Sequence, residues 1–378
     1  MKDKTSLLAS ATLIGTIIGA GIFGIPYVMI WGGVLTSLFY FLILGGVVLL
    51  IHLFFGEIVL RTNEKHRLVG YTEKYLGKRA KILVTFSVIF GTIGALLAYI
   101  ILAGDFLKII FPSFSSFQLS LIAWAVLSFF VFWGIKSIAW SELLMSFGFL
   151  VAIFLIFFFC LPKINLANFT LINKDFLFLP YGVLLFSLIG WNAVPEIELL
   201  LAKKVNLKKV IFFSMLFVLS FYFLFGFIIG GVSGKVTSQD ALSGLSNFLG
   251  GKIMIFGGIF GLLAVATSFL ILGNYLKNTL IFDYKFFRLS AFLVACFTPL
   301  ILFLIGIREF IFVIALVGTF MALIDGTIIC LVYQKAKKLG ERVPEYTLNI
   351  SPKLIYLIIA ILSVGGFLTF IESFTIAK

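Results

Sequence analysis

The stretch GTIIGAGIFGIP, residues 15–26, decides how the chain folds, because it interrupts an apolar run that is long enough to cross a membrane. The run extends over residues 6–32, and a membrane-spanning helix needs about 20 mostly apolar residues. Small residues occupy its middle at positions 19–21, and Pro26 follows shortly after them. Glycine tolerates non-helical backbone angles and proline has no amide donor, so we expect the helix to open here.

A second stretch, FSLIGWNAVPEIE at residues 186–198, has the same spacing between a glycine and a proline. Pro195 follows Gly190 by five residues, as Pro26 follows Gly21 in the first stretch. An opened helix inside a membrane exposes N–H and C=O groups, and such backbone persists only where it lines a cavity or is buried in protein. The matched pair therefore predicts a binding site at which two helices are broken.

The first stretch also has a purely structural interpretation. Gly15 and Gly19 lie four residues apart, and small residues at this spacing allow membrane helices to pack closely. Packing explains neither the Gly-Ala-Gly triplet nor its counterpart in the second stretch, although the two roles are compatible.

The composition places the chain in a membrane. Of its 378 residues, 62% are apolar and only 12% are charged, with a mean hydropathy of +1.19. A soluble domain has no means of burying so much apolar surface. A net charge of +13 would indicate nucleic acid binding in a soluble protein. In a membrane protein, the positions of the Lys and Arg residues instead indicate which loops lie on which side of the membrane. We therefore expect a lipid bilayer as a partner, and no nucleic acid.

Apolar stretches divide the chain into eleven predicted spans within a single transmembrane domain, residues 1–378. Five spans form one repeat over about residues 5–161, five form a second over about 176–333, and one extra span follows at about 353–374. Because an odd number of spans precedes it, the second repeat is inverted relative to the first. The predicted spans are 6–32, 34–60, 82–110, 119–134, 139–161, 176–201, 208–231, 253–281, 287–305, 309–333 and 353–374.

Basic residues cluster in alternate loops between these spans. Most of the 29 Lys and Arg residues lie on one side, with clusters from Arg61 to Lys81 and from Lys203 to Lys209. Loops on the cytoplasmic side of membrane proteins carry an excess of Lys and Arg. We therefore predict an integral protein of the cytoplasmic (plasma) membrane, with its N-terminus inside and its C-terminus outside.

A bound amino acid would satisfy the open backbone at both breaks. The amides around Gly19 to Ile22, at the positive start of a half-helix, suit a carboxylate. The carbonyls of Ile17 and Ile18, with those around Phe186 and Ser187, suit an ammonium group. No obvious charged side chain lies at either break, which favours a neutral amino acid.

Three stretches, TLIGTIIGAGIFGIPY (12–27), FSLIGWNAVPEIE (186–198) and ATSFLILGNYLKNTL (266–280), carry a family resemblance. They resemble the amino acid/auxin permease family of the amino acid/polyamine/organocation superfamily, particularly its hydroxy and aromatic amino acid permease branch. The resemblance implies an all-α, leucine-transporter-type fold, with a 5+5 inverted repeat, broken helices one and six, and eleven transmembrane helices. It also implies secondary active transport of amino acids, in which a bundle of helices one, two, six and seven rocks.

The resemblance extends the predicted substrate site beyond the two breaks. In this fold the third and sixth helices usually line the side-chain pocket, which adds Tyr99 and residues of the second stretch. The ordinary alternative for Tyr99 is a packing aromatic among 47 Phe and 12 Tyr. The predicted substrate residues are Gly19, Ala20, Gly21, Ile22, Tyr99, Phe186, Ser187, Gly190, Trp191 and Asn192.

The resemblance also implies a sodium site. Hard cations bind oxygen ligands, and the pattern of this fold assigns carbonyls of Gly15, Ile18 and Ala264 and hydroxyls of Thr267 and Ser268. Alternatively, the two hydroxyls bond to carbonyls one turn earlier in their own helix. Members of the resembled family that use protons leave the coupling ion open between Na⁺ and H⁺.

Asp325 is the candidate for proton coupling, because it is the most deeply placed carboxylate in the predicted spans. An ionisable side chain within a membrane is a functional candidate by default. The alternative is a structural role, in which Asp325 holds neighbouring helices together by hydrogen bonds. His52 in the second span is a weaker candidate, since a lone His is more often a satisfied core residue.

Together these features predict a secondary active transporter, a sodium- or proton-coupled symporter of neutral amino acids, including aromatic or hydroxylated ones. Amino acid exchange and amino acid sensing without transport are the alternatives, and no organic cofactor is expected. A channel is disfavoured because no acidic or carbonyl ring repeats in the sequence. An enzyme is disfavoured because two histidines offer little acid–base or metal chemistry. The particular amino acid and the oligomeric state stay open.

Overall fold

The computed structural model describes residues 4–133, 151, 153–282 and 284–376, and every regular element in these residues is helical. Long apolar stretches form helices because a helix satisfies its backbone groups within one segment. The helices are α1 (Lys4–Ile17), α2 (Gly21–Gly32), α3 (Val34–Arg61), α4 (Leu68–Leu76), α5 (Lys78–Ile110), α6 (Ser116–Trp133), α7 (Ile153–Lys163), α8 (Leu179–Leu188), α9 (Val194–Leu200), α10 (Leu207–Ser233), α11 (Gly251–Phe282), α12 (Arg288–Leu304), α13 (Phe310–Met321), α14 (Thr327–Leu339) and α15 (Pro352–Ile376).

Eight helical segments in the described parts of the chain are long and apolar enough to cross a membrane, when α8 with α9 and α13 with α14 are each taken as one segment. The bent pair α1 and α2 makes a ninth span. The shorter apolar helices α7 and α12 occupy the places of the fifth and ninth predicted spans. Most of the fifth predicted span, 139–161, lies outside the described residues. The all-helical architecture with broken helices confirms the predicted fold class, whereas the repeat boundaries and the orientation of the termini stay predictions.

Among the spans that the structure describes, three depart from a continuous α-helix. In the first, α1 and α2 meet at an angle of 59°. In the sixth, α8 and α9 are separated by a short segment that includes a 3₁₀ turn, Trp191–Ala193. In the tenth, a π-helical segment, Ala322–Gly326, joins α13 to α14. Such π-helical segments are rare and frequently lie at functional sites.

The helix α5 is central and packs against α6, α11, α12 and α13. Its contact with α13 depends on small residues, because a Cβ atom at Gly91 would overlap Met321 and one at Gly94 would overlap Val317. The partner position on α13 falls as the position on α5 rises, so the two helices run antiparallel. The same register brings Ser87, one turn earlier on α5, to the π-helical segment.

The loop after α3 and the helix α4 are joined to the segment after α14 by polar contacts. Lys74 Nζ lies 2.6 Å from Glu341 Oε1, and the Asn63 amide donates to Glu341 Oε2 at 2.9 Å. The hydrogen bond between the two side chains raises the pKa of Lys74 and lowers the pKa of Glu341. Nearby, the fully buried carboxylate of Glu57 accepts a hydrogen bond from Arg61. These contacts hold one end of the helical bundle together.

Candidate substrate and cation sites

The break in the first span covers Ile18, Gly19 and Ala20, and Gly21 is the first residue of α2. It therefore begins one residue earlier than the predicted triplet. The Gly19 amide turns back to the Ile17 carbonyl at 2.9 Å, whereas the amides of Ala20 and Gly21 donate to no backbone carbonyl within the described chain. Both N–H groups lie at the start of α2, where the helix dipole favours an anion.

The break in the sixth span follows the end of α8 at Leu188 and includes Ile189 and Gly190. Pro195 lies in the first turn of α9, where its missing amide costs no hydrogen bond because first-turn donors have no acceptor in the helix. Pro26, by contrast, lies inside the continuous helix α2. The proline therefore marks the start of a half-helix in the sixth span and an interior position in the first.

The two breaks touch each other. A Cβ atom at Gly21 would lie 2.7 Å from Ser187 Cα and 2.8 Å from Ser187 Cβ, closer than real Cβ contacts. A Cβ atom at Gly190 would overlap Ile17 on the opposite half of the first span. The absence of a side chain at both glycines is what permits this approach. The structure thus brings the two predicted interruptions to one place.

Tyr222 on α10 lies at both breaks, although no local sequence pattern predicts this. Its fully buried hydroxyl lies 2.8 Å from the Ile17 carbonyl and 3.1 Å from the Ser187 carbonyl, close to the Gly19 amide. A hydroxyl has one hydrogen to donate and lone pairs to accept, so it can pair with one carbonyl and the amide together. Carbonyls expected to bind a substrate ammonium therefore already have a protein donor nearby.

Tyr99 joins α5 and α11 to the first break. Its hydroxyl lies 3.9 Å from the position of a Cβ atom on Gly19, and it interacts with the Ser268 side chain. The ring is buried. Tyr99 therefore lies between the predicted substrate residues and the candidate cation residues of α11.

The remaining predicted substrate residues differ in their surroundings. Ile22 is fully buried, Phe186 is half-buried and Asn192 is exposed. The Ser187 hydroxyl donates back along α8 to the Val183 carbonyl at 2.7 Å, so its hydrogen is already used. The backbone of Ser187, more than its side chain, faces the first break.

The candidate cation residues on α11 are bonded within their own helix. Thr267 Oγ1 and Ser268 Oγ each donate to the Ala264 carbonyl at 2.9 Å, which is the alternative interpretation of this pair. Each hydroxyl oxygen keeps lone pairs for a cation. Gly15, the candidate ligand on α1, is exposed. The five predicted oxygens stay a prediction.

Asp325 lies in the π-helical segment and is fully buried. The side chains of Ser87 and Trp191 face its carboxyl group. Trp191 also contacts the ring of His52, with ring centroids 5.7 Å apart. A predicted substrate residue at the second break thus connects to the proton-coupling candidate.

At the two breaks, the site offers backbone amides for an anionic group and backbone carbonyls for a cationic group. It also contains hydroxyl groups and buried titratable side chains. No group of three or more His, Cys, Asp and Glu side chains in the described residues is arranged to hold a metal ion. This inventory suits the binding of a small zwitterion.

Comparisons with known proteins bear on the family and the fold of the chain. A model of the tryptophan/tyrosine permease family matches residues 2–369. Among solved structures, the chain is similar to MhsT in complex with L-phenylalanine, with a TM-score of 0.61 and 16% identity over 97% of this chain and 98% of that chain. No curated protein matches the chain in sequence. The structural match shows the leucine-transporter-type fold, and the family match agrees with the permease resemblance drawn from the three stretches.

Proposed function

This chain belongs to the tryptophan/tyrosine permease family, and we propose that it moves neutral amino acids across the membrane by cation-coupled symport with alternating access. The family and the fold make it an amino acid permease and not an enzyme. The coupling ion, Na⁺ or H⁺, and the substrate class are the proposed parts.

The observation that carries the proposal is the meeting of two broken helices around backbone groups. The amides of Ala20 and Gly21 have no backbone acceptor within the described chain, and the carbonyls of Ile17 and Ser187 lie beside them at the contact of the breaks. A zwitterionic amino acid offers a carboxylate for the former and an ammonium for the latter. Discontinuous helices of this kind hold substrate near the bilayer midplane in transporters with inverted repeats.

Aromatic amino acids are the proposed first choice of substrate. The name of the family mentions tryptophan and tyrosine, and the similar transporter MhsT was solved with L-phenylalanine. In this chain, Tyr99 lies beside the first break, and Phe23 packs edge-on against Phe106 with ring centroids 4.8 Å apart. Aromatic side chains favour such edge-on and offset contacts with one another.

Uptake by purified protein in liposomes tests the proposal. We expect radiolabelled tryptophan, tyrosine or phenylalanine to accumulate when a sodium or proton gradient is imposed, and lysine and glutamate not to accumulate. Uptake that needs only internal amino acid would indicate exchange. Ligand-induced thermal stabilisation without any uptake would indicate a sensor.

A hydroxyl variant separates the two candidate ions. If sodium is coupled through α11, Thr267→Ala will weaken sodium-driven uptake. Thr92→Ala is the matched control, because Thr92 makes the same bond to a carbonyl one turn earlier, to Val88 at 2.7 Å, on a different helix. Equal effects of the two substitutions would remove the support for a sodium site at Thr267.

A further inference from the structure

Four polar side chains from four different segments meet in the interior of the bundle. His52 lies on α3, Ser87 on α5, Trp191 at the break of the sixth span and Asp325 in the π-helical segment, and all four are 0% exposed. We call these four residues the buried polar cluster. His52 Nε2, Ser87 Oγ, Trp191 Nε1 and both carboxyl oxygens of Asp325 lack a formed hydrogen bond. Buried polar atoms without partners are uncommon in proteins, so their concentration here needs an explanation.

The cluster pairs two donors with a carboxyl group. The Ser87 hydroxyl and the Trp191 indole N–H face the Asp325 carboxyl in a looser geometry than a formed hydrogen bond. An indole N–H only donates, and a hydroxyl donates readily to an anion. Both groups are therefore positioned to bind the carboxylate form of Asp325 if they move slightly closer.

Trp191 also contacts His52, and this histidine adds a proton acceptor to the cluster. Its Nδ1 lies 2.8 Å from the Val48 carbonyl, and since a carbonyl only accepts, the bond assigns the hydrogen to Nδ1. Nε2 is then a free lone pair, 3.4 Å from the position of a Cβ atom on Gly190. The imidazole thus faces the break itself.

No charged group neutralises Asp325 in the described residues. Ser87 faces it from α5 and Trp191 from the sixth span, while Leu362 of α15 and Ile51 of α3 pack against the neighbouring Gly326. His52, which contacts Trp191, is the other titratable side chain of the cluster. A fully buried carboxylate without a cation costs several kcal/mol, so this arrangement holds the protonated acid.

A purely structural role for Asp325 fits these contacts poorly. Such a role requires formed hydrogen bonds between helices, whereas neither carboxyl oxygen of Asp325 makes a formed hydrogen bond. A group that exchanges a proton needs two states instead, one neutral and loosely contacted, the other charged and tightly bonded. The π-helical segment supplies local backbone irregularity of the kind often found where a side chain has such a role.

We propose that Asp325 binds and releases a proton during transport, and that Trp191 links its charge to the break in the sixth span. Water on one side of the membrane gives a proton to a carboxylate oxygen of Asp325, and the acid returns it to water on the other side. When the proton leaves, the carboxylate draws in the Trp191 N–H and the Ser87 hydroxyl. Trp191 begins the 3₁₀ turn between α8 and α9, so this movement acts on the break directly. The proposal rests on the proposed symport function and assigns its ion.

Asp325→Asn tests the proposal, because asparagine has the shape of the protonated acid and cannot lose a proton. A pH gradient of one unit sustains about tenfold accumulation when one proton accompanies each substrate. We expect that accumulation in wild type, and none beyond equilibration in Asp325→Asn. Counterflow between labelled and unlabelled substrate, which needs no net proton movement, should persist within about twofold of wild type, a margin of ~0.4 kcal/mol.

Asp105→Asn is the matched control. Asp105 is also a carboxyl within a long helix, α5, but its Oδ1 accepts a bond from Ser116 Oγ at 2.5 Å and it lies outside the cluster. The control should retain accumulation driven by the pH gradient. Accumulation by Asp325→Asn equal to that of the control would overturn the proposal.

Trp191 fluorescence provides a second readout that does not depend on transport. The difference between wild type and Trp191→Phe isolates the emission of this indole, which should change as pH titrates Asp325 and should be constant in Asp325→Asn. If the Trp191 emission changes with pH in the same way in wild type and in Asp325→Asn, Trp191 does not respond to the charge of Asp325 and the proposed link is refuted.

The outcomes distinguish this proposal from the proposed function. Sodium-driven uptake of an amino acid that ignores the pH gradient would keep the symport function and overturn the proton site. Absence of amino acid uptake and binding by wild type would instead refute the proposed function. Loss of both counterflow and substrate-induced thermal stabilisation in Asp325→Asn, with Asp105→Asn intact, would show that Asp325 acts in binding and would equally overturn the proposal.

Discussion

Replacing Gly21 with alanine should separate the two breaks and stop transport. The new methyl group would lie 2.7 Å from Ser187 Cα and 2.8 Å from Ser187 Cβ, and one of these atoms belongs to the backbone of α8. Since carbon atoms pack best at about 3.5–4.0 Å, the helices must part by close to 1 Å. Overpacking of this kind typically costs about 1–3 kcal/mol of folding free energy. Binding residues must be held within about 0.5 Å of their productive positions. A displacement of close to 1 Å should therefore abolish most of the uptake, whereas the protein should stay folded.

Thermal unfolding in detergent and uptake in liposomes measure the two effects. Gly46→Ala on α3 is the control, because a Cβ atom at Gly46 would have no neighbour within 4 Å. Alanine is favoured over glycine in a helix by about 1 kcal/mol, so the control should be as stable as wild type or slightly more stable, with normal uptake.

A double-mutant cycle locates the cause of the loss. Ser187→Gly removes the Ser187 Cβ and Oγ atoms but leaves the Cα atom 2.7 Å from the new methyl group, so it should rescue Gly21→Ala only in part. Residues in contact show such non-additivity, whereas distant ones add. Additive effects, or a Gly21→Ala protein that unfolds and transports like wild type, would refute the contact between the breaks.

Two further substitutions test contacts outside that pair. Tyr222→Phe removes the hydroxyl that lies between the carbonyls of the two breaks, and leaving a buried carbonyl unpaired should lower the free energy of unfolding by about 1–3 kcal/mol; unchanged thermal unfolding would contradict this. Glu341→Gln removes the ion pair with Lys74, whose contribution is fully present between the ordinary pKa values of 4.5 and 10.5. Because the pKa of Glu341 is lowered and that of Lys74 is raised, the stability difference between wild type and variant should shrink as pH falls through the former or rises through the latter. A difference that does not vary from acid to alkaline pH would show that the pair does not contribute.

The spans could be predicted because each depends on local composition. The second predicted span, 34–60, is found as Val34–Arg61, and the seventh, 208–231, as Leu207–Ser233. Continuous apolar sequence bounded by charged or small residues defines a membrane helix almost regardless of its neighbours. The short helix Leu68–Leu76 was not predicted, since it is a loop element with little apolar sequence.

The break in the first span was predictable to within one residue, but its partners were not. Glycine and proline are local signals, whereas the bond from Tyr222 to the Ile17 carbonyl joins positions 205 residues apart. The buried polar cluster was equally hidden, since His52 and Ser87 have no sequence pattern that directs them toward Asp325. Helix register and close packing at glycines bring these groups together, and both are tertiary properties.

The polar groups at the breaks are unequally supplied with partners, and this asymmetry bears on substrate recognition. Tyr222 has one hydroxyl hydrogen to offer to the carbonyl of Ile17 or of Ser187, and the Gly19 amide also donates to Ile17, so a substrate ammonium competes with donors that are already present. The amides of Ala20 and Gly21 have no backbone acceptor within the described chain, so a carboxylate gains new bonds to each. Hydrogen bonds to charged groups contribute about 1.5–3 kcal/mol apiece.

It follows that the carboxylate should dominate affinity in this site. An aromatic acid that lacks the ammonium, 3-phenylpropionate, should stabilise the purified protein against heat more than phenethylamine, which lacks the carboxylate. In Tyr222→Phe the carbonyls lose their internal donor, so the disadvantage of the amine should diminish. Stronger stabilisation by the amine in wild type would mean that the carbonyls, and not the amides at the start of α2, are the principal substrate contacts.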